Sequence, residues 1–123
     1  KKKSGIIINI SSDLGVIAPN QKLYGKFNKK PVSYSVVKHG IIGLTKYIST
    51  YWADKGIRAN TLCPGGIYNN QSNVFVKKIE ELIPLKRMAN KDEYKSAIQF
   101  LSSDASSYMN GASIVIDGGR TVW

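Results

Sequence analysis

Three short apolar runs punctuate the chain, and the spacing of hydrophobic positions between them is different in kind. The runs are Gly5 to Ser11, Ile57 to Cys63 and Ala112 to Asp117. They are rich in β-branched residues and short enough to predict strands. The first, with four isoleucines, reads as buried on both faces, the mark of a parallel sheet. From Pro31 onward the period lengthens. Ile41, Leu44, Ile48 and Trp52 recur at helical spacing, which predicts a helix from Pro31 to about Asp54. Pro31 suits its first turn, and Lys55-Gly56 supplies its stop. A shorter helix is expected near Val74 to Ile83, ended by Pro84. Another runs from Glu93 to Leu101, with Asp92 at its start and Ala97, Ile98 and Leu101 on its apolar side.

Strand, helix, strand, helix, strand predicts an α/β fold with parallel strands joined by right-handed crossovers. The segment from Asp13 to Lys30 carries Gly15, Pro19, Asn20, Gly25 and Asn28 and reads as a long loop. A loop of that length in a compact domain is usually functional or mobile.

Composition narrows the function classes. At 123 residues, 42% hydrophobic and 21% charged, the chain holds one domain at most and has the balance of a soluble globular protein. No apolar run approaches the roughly 20 residues that span a bilayer, and no signal-like apolar stretch follows the basic N-terminus. One cysteine, Cys63, excludes an internal disulfide, and one histidine, His39, leaves little for metal chemistry; a cytoplasmic setting is expected. The net charge of +10 comes from lysines spread along the chain, denser at Lys1 to Lys3 and from Lys22 to Lys30. No nucleic-acid-binding motif accompanies them. They read as solvated lysines with an attraction for an anionic small molecule. A nucleic-acid-binding module, the rival reading, requires salt-sensitive affinity.

The chemistry gathers at Tyr34-Ser35-Val36-Val37-Lys38. A tyrosine and a lysine four apart share a helix face, so the ammonium sits under the phenol and favours its ionised form. A serine at the end of the first strand, Ser11 or Ser12, polarises a carbonyl while the tyrosine moves a proton. That is equipment for interconverting an alcohol and a ketone, given a hydride carrier. Cys63 reads as a small buried residue, and His39, turned about 100° from Lys38, as packing or surface.

Four landmarks in this order, Asn9-Ile10-Ser11-Ser12, Tyr34 to Lys38, Asn60 to Gly65 and Gly111 through Asp117-Gly118-Gly119, resemble the second half of the short-chain dehydrogenase/reductase family. The resemblance runs from Ile6 to Gly119. It implies the C-terminal part of a Rossmann-like doubly wound parallel sheet and NAD or NADP as cofactor. Ser12, rather than Ser11, aligns with the family's substrate-binding serine, Tyr34 with its general acid/base, and Lys38 with the lysine that holds the nicotinamide ribose. Pro64, Gly65 and Ile67 correspond to the loop approaching the nicotinamide. Asn69 stands where many members have a threonine that contacts the carboxamide. Asp117-Gly118-Gly119 corresponds to a strand-end turn.

The resemblance also implies that the Gly-rich half holding the pyrophosphate lies outside this sequence, which has no G-x-G-x-x-G opening a βα unit. Alone, the 123 residues are expected to be inactive, with the first strand's open edge favouring self-association. A non-catalytic fragment or scaffold acting by association is therefore the second reading. For the whole enzyme the family implies a homo-oligomer with the Tyr34 helix in one interface. The loop from Gly15 to Lys30, with Lys22, Lys26, Lys29, Lys30, Tyr24 and Phe27, suits a phosphorylated or nucleotide-linked substrate. It is similar to bacterial members that modify sugars of flagella and surface polysaccharides. A ketone linked to an acidic acyl-carrier protein fits the same lysines.

Overall fold

Parallel strands need crossovers, and the chain supplies them as helices on both faces of a small sheet. The computed structural model describes residues 4–123, so the Lys1 to Lys3 cluster lies outside the described residues. Strands β1 (Gly5–Ile10), β2 (Ile57–Pro64) and β3 (Ser113–Ile116) form one sheet in the order β1-β2-β3, parallel throughout. Helices α1 (Val32–Tyr51), α2 (Asn73–Glu81) and α3 (Lys95–Ser102) connect them, with short 3-10 turns between. The register sets Ile8 opposite Asn60, Asn9 opposite Thr61 and Leu62 opposite Ile114.

Alternation along the strands sorts side chains to the two faces. Ile8, Leu62 and Ile114 meet Tyr94, Ala97 and Leu101 on the α3 side. Asn9 and Thr61 point to α1, where both donate to Thr45 Oγ1, at 2.8 and 2.7 Å, and Thr45 in turn donates to the Ile41 carbonyl at 2.8 Å. A second cluster of Leu23, Ile79, Ile83 and Met88 lies under the loop between β1 and α1.

One expectation from the hydrophobic pattern is corrected. The first strand is not buried on both faces: Ile6 and Ile10 are 41% and 45% exposed, because β1 stands at the edge of the sheet. In α1, the buried residues are Thr45 and Ser49, with Ile41, Ile42 and Ile48 partly buried. Leu44 is half-exposed, and Val36, Val37, Tyr47 and Tyr51 face outward. The polar inward residues are tolerated because each hydroxyl has a partner. The helix ends at Tyr51, followed by a 3-10 turn and Gly56 in the left-handed region (φ 71°). The third helix begins in a 3-10 turn capped by Asn90 and Glu93 in a capping box, upstream of the expected Asp92. No helix among the described residues is long and apolar enough to cross a membrane, and no group of three metal-ligating side chains occurs there.

Candidate functional site

In a parallel sheet all strands run the same way, so their carboxyl ends, and the loops that leave them, gather on one side. Here β1 ends in Ser11-Ser12-Asp13, β2 in Pro64-Gly65-Gly66-Ile67 and β3 in Asp117. The ends of β1 and β2, together with Tyr24, Lys30 and Tyr34, line an open cavity of about 350 Å³. That is room for a small molecule.

The two serines do different things. Ser11 is buried, and its hydroxyl donates to the Lys38 carbonyl at 2.7 Å, tying the end of β1 to α1. Ser12 lines the cavity and donates to Asp13 Oδ1 at 2.8 Å while accepting from the Leu14 N–H at 3.1 Å. A hydroxyl has one proton and two acceptor sites. With the proton committed to Asp13 and one acceptor site filled, Ser12 Oγ has one lone pair left.

Asp13 is held in turn by Arg120 Nη1, 2.6 Å from its Oδ2, and the Leu14 N–H adds a 2.7 Å bond to Oδ1. The pair is 3% and 6% exposed and joins residues 107 apart in sequence. Nothing in the hydrophobic pattern marks it; a lone Asp after two serines carries no periodic signal.

Tyr34 stands in the first turn of α1 and lines the cavity. Lys38, one turn on, has its ammonium 5.7 Å from the Tyr34 ring centroid, donating to the Ile10 carbonyl at 3.1 Å. It lies behind the tyrosine, toward the open edge of β1, outside the cavity lining. A second ammonium is closer: Lys30 Nζ sits 3.7 Å from the same centroid. The other loop lysines, Lys22, Lys26 and Lys29, are exposed and outside the lining; Phe27 is 90% exposed. Tyr24 lines the cavity and stacks at a tilt on Phe75, centroids 5.9 Å apart. Burial pushes its phenol above the ordinary value, with Arg120 partly offsetting this.

The opposite wall is Pro64-Gly65-Gly66-Ile67. Gly65 is needed for a reason within the protein: a Cβ there would lie 2.7 Å from Asp117 Cα and 2.9 Å from its Cβ. Ile67 bridges to Ala89, fixing the loop. Asn69 is not brought to the cavity. It is exposed, its N–H donates to Gln71 Oε1 at 2.7 Å, and Gln71 is the residue that reaches the lining.

The remaining candidates have structural roles. Cys63 is fully buried, and burial pushes its thiol up. His39 Nδ1 pairs with the Ser35 carbonyl at 3.0 Å on the exposed face. Asp117 accepts from the Gly119 and Thr121 N–H groups at 2.9 and 2.7 Å, and Gly118 and Gly119 have positive φ, which builds the expected turn.

The comparisons with known proteins agree on what kind of chain this is. Residues 1–121 match the family described as enoyl-(acyl carrier protein) reductase. Post-translational flagellin modification protein A of Campylobacter coli is 36% identical over 120 residues, covering 97% of this chain and 47% of that protein. D-threitol dehydrogenase of Mycolicibacterium smegmatis is 32% identical, covering 96% and 44%. Among solved structures, a short-chain dehydrogenase of Leptospira borgpetersenii with bound NAD+ superposes with a TM-score of 0.91 at 41% identity, over 98% of this chain and 45% of that one. A gluconate 5-dehydrogenase of Burkholderia cenocepacia in complex with NADP and tartrate gives 0.86 at 30%, over 98% and 46%. The chain thus spans about half the length of the relatives it matches. With the ordered landmarks, the parallel three-stranded sheet and these likenesses together, the chain belongs to the short-chain dehydrogenase/reductase family.

Proposed function

We propose that these 123 residues supply the catalytic half of an NAD- or NADP-dependent oxidoreductase that interconverts a secondary alcohol and a ketone. A single observation carries the reading: Ser12 and Tyr34 line one small cavity, with Lys38 one helical turn behind the tyrosine. The wall from Pro64 to Ile67 presents backbone and small or apolar side chains, a surface suited to a flat ring. Lys38 Nζ spends one donor on the Ile10 carbonyl and keeps two for ribose hydroxyls. Asn69 makes no contact with this cavity, and we assign it no role in holding the ring.

Pro64, Gly65 and Ile67 would hold a nicotinamide against that wall, and the group would supply or accept the hydride. Tyr34 gives its proton to the forming alkoxide in the reductive direction and takes it from the alcohol in the oxidative one. The Lys38 ammonium brings positive charge toward the phenol as that proton leaves. The single alcohol proton goes to Tyr34, so Ser12 contacts the substrate oxygen by turning its own proton toward it from Asp13 Oδ1. The substrate is a small hydroxylated molecule carrying negative charge, with phosphorylated or nucleotide-linked sugars as the leading class. The enzyme works as a homo-oligomer, a reading supported by the exposed Val36, Val37, Leu44, Tyr47 and Tyr51 on α1.

The test is turnover by the complete oxidoreductase with each cofactor over a panel of polyols, hydroxy acids and sugar phosphates. Tyr34→Phe is expected to abolish turnover while cofactor still binds, and Lys38→Ala to weaken both. Near-normal turnover by Tyr34→Phe overturns the mechanism.

A further inference from the structure

Of the four lysines in the loop before α1, the fold singles out one. Lys30 alone is partly buried and lines the cavity; Lys22, Lys26 and Lys29 are exposed and lie outside it. Its placement is built. The carboxamide of Gln21 brackets the Lys30 backbone from both sides, Nε2 donating to its carbonyl at 3.0 Å and Oε1 accepting from its N–H at 3.0 Å. Asn20 caps the turn that presents Gln21, and Leu23 anchors the same turn in the core. Two side-chain bonds to one residue's backbone, across nine positions, fix where Lys30 leaves the chain. Its ammonium then rests on the face of Tyr34, 3.7 Å from the centroid.

The charge of Lys30 is not matched by a carboxylate. The one acidic side chain in the cavity lining, Asp13, is paired with the one arginine there, Arg120, at 2.6 Å. No ion pair among the described residues involves Lys30. Lys30 is a partly buried residue, and an ammonium held over an aromatic ring keeps its donors free. From 3.7 Å above the ring, the ammonium stands within about 5 Å of the phenol oxygen.

We infer that Lys30 is a substrate-anchoring residue that takes a carboxylate or phosphate located one or two carbons from the reacting carbinol. At that separation a substrate oxygen bonded to Tyr34 and an anionic oxygen bonded to Lys30 fit within one small hydroxy acid or hydroxy phosphate. The inference rests on the function proposed above and sharpens it: the anion belongs beside the reaction centre. It makes α- and β-hydroxy acids, and vicinal hydroxy phosphates, the preferred substrates over neutral polyols of the same size.

The experiment compares tartrate, glycerol 3-phosphate and threitol as substrates of the complete oxidoreductase, and titrates each into the enzyme by calorimetry in the presence of oxidised cofactor. Tartrate and threitol have the same carbon skeleton, so their ratio isolates the carboxylate, and glycerol 3-phosphate distinguishes phosphate from carboxylate. The wild type is expected to prefer at least one anion over threitol, and Lys30→Met to reduce that preference about 10- to 100-fold, chiefly through KM. Lys30→Arg is expected to retain it, and Lys29→Met, on the exposed part of the loop, to leave the ratio alone. An equal loss for anion and neutral polyol in Lys30→Met overturns the inference, because it means Lys30 acts on Tyr34 alone. So does a wild type that prefers threitol or binds neither anion. Turnover of threitol with no Lys30-dependent preference leaves the proposed oxidoreductase intact and removes only the anchor. Lys30-dependent anion binding with no turnover of any of the three, nor of any member of the wider panel, does the reverse.

Discussion

Removing the guanidinium of Arg120 strands a buried carboxylate next to the serine of the site. In Arg120→Met the stem volume is nearly kept, and what disappears is the 2.6 Å bond to Asp13 Oδ2 in a place where both residues are less than a tenth exposed. Breaking one side of such a pair costs about 3–5 kcal/mol, because the remaining charge is left uncompensated in a poorly solvated place. Asp13 keeps two donors on Oδ1, Ser12 Oγ and the Leu14 N–H, so the lower end of that range, about 3 kcal/mol, is expected. At a urea dependence of about 2–3 kcal/mol/M, this moves the unfolding midpoint down by about 1–1.5 M with the slope unchanged. Arg120→Met combined with Asp13→Asn removes the stranded charge and is expected to recover most of the loss, since a neutral replacement of a buried pair is often close to neutral. Urea titration of the complete oxidoreductase, followed by tryptophan fluorescence, gives all three numbers. If Arg120→Met lies within about 1 kcal/mol of the wild type, or the double variant is no more stable than the single one, the pair does not hold the serine turn.

Other expected outcomes follow from single contacts. Glu93 is held down at about 2 by a side-chain bond from Arg87 (2.6 and 2.7 Å, bidentate), and then by the Asn90 N–H. Its folded value is depressed, so its contribution is present above about pH 4.5 and lost as pH falls toward 2; Glu93→Gln should flatten the acid limb of a thermal-unfolding profile there. Leu101 is fully buried in the cluster under α3, and Leu101→Ala should cost about 2–5 kcal/mol by urea unfolding. Thr45→Val leaves the Asn9 amide and the Thr61 hydroxyl without their acceptor and should cost about 1–3 kcal/mol despite adding apolar surface. Gly65→Ala forces the β2 and β3 strand ends apart at Asp117 and should lower turnover along with stability, measured by kcat and the urea midpoint together.

The strand–helix alternation and the Tyr34–Lys38 pairing on one helix face were legible because each depends on local pattern, whereas the choice of Ser12 over Ser11 came from the family resemblance. A strand is short and β-branched, a helix has its own period, and a residue pair four apart shares a face. What the pattern misread depends on neighbours the sequence does not display. The period of α1 gave the helix but not its buried positions, Thr45 and Ser49, which Asn9, Thr61 and Asn110 meet with hydrogen bonds. β1 reads as doubly buried by composition, and Ile6 and Ile10 are exposed where no strand flanks it among the described residues. At the site, loop chemistry pointed to four lysines alike. Only the Gln21 bracket, a side-chain contact across nine residues, distinguishes Lys30. Asn69 shows the same limit: a motif position gives the loop, while the hydrogen bond from its N–H to Gln71 decides which side chain of that loop turns inward.

The Gln21 bracket also closes the loop on itself. Leu23 is in the core and Lys30 is clamped, so the span from Gly25 to Lys29 leaves and returns at fixed points, and Phe27 stands at its tip, 90% exposed. Closure entropy grows slowly with length, each doubling costing about 0.6 kcal/mol. The tip is therefore a place where residues are inserted or exchanged at small cost and without moving the ammonium on Tyr34. An affinity tag, a fluorophore site or a recognition peptide grafted between Gly25 and Lys29 would report from the rim of the cavity while leaving its walls as they are.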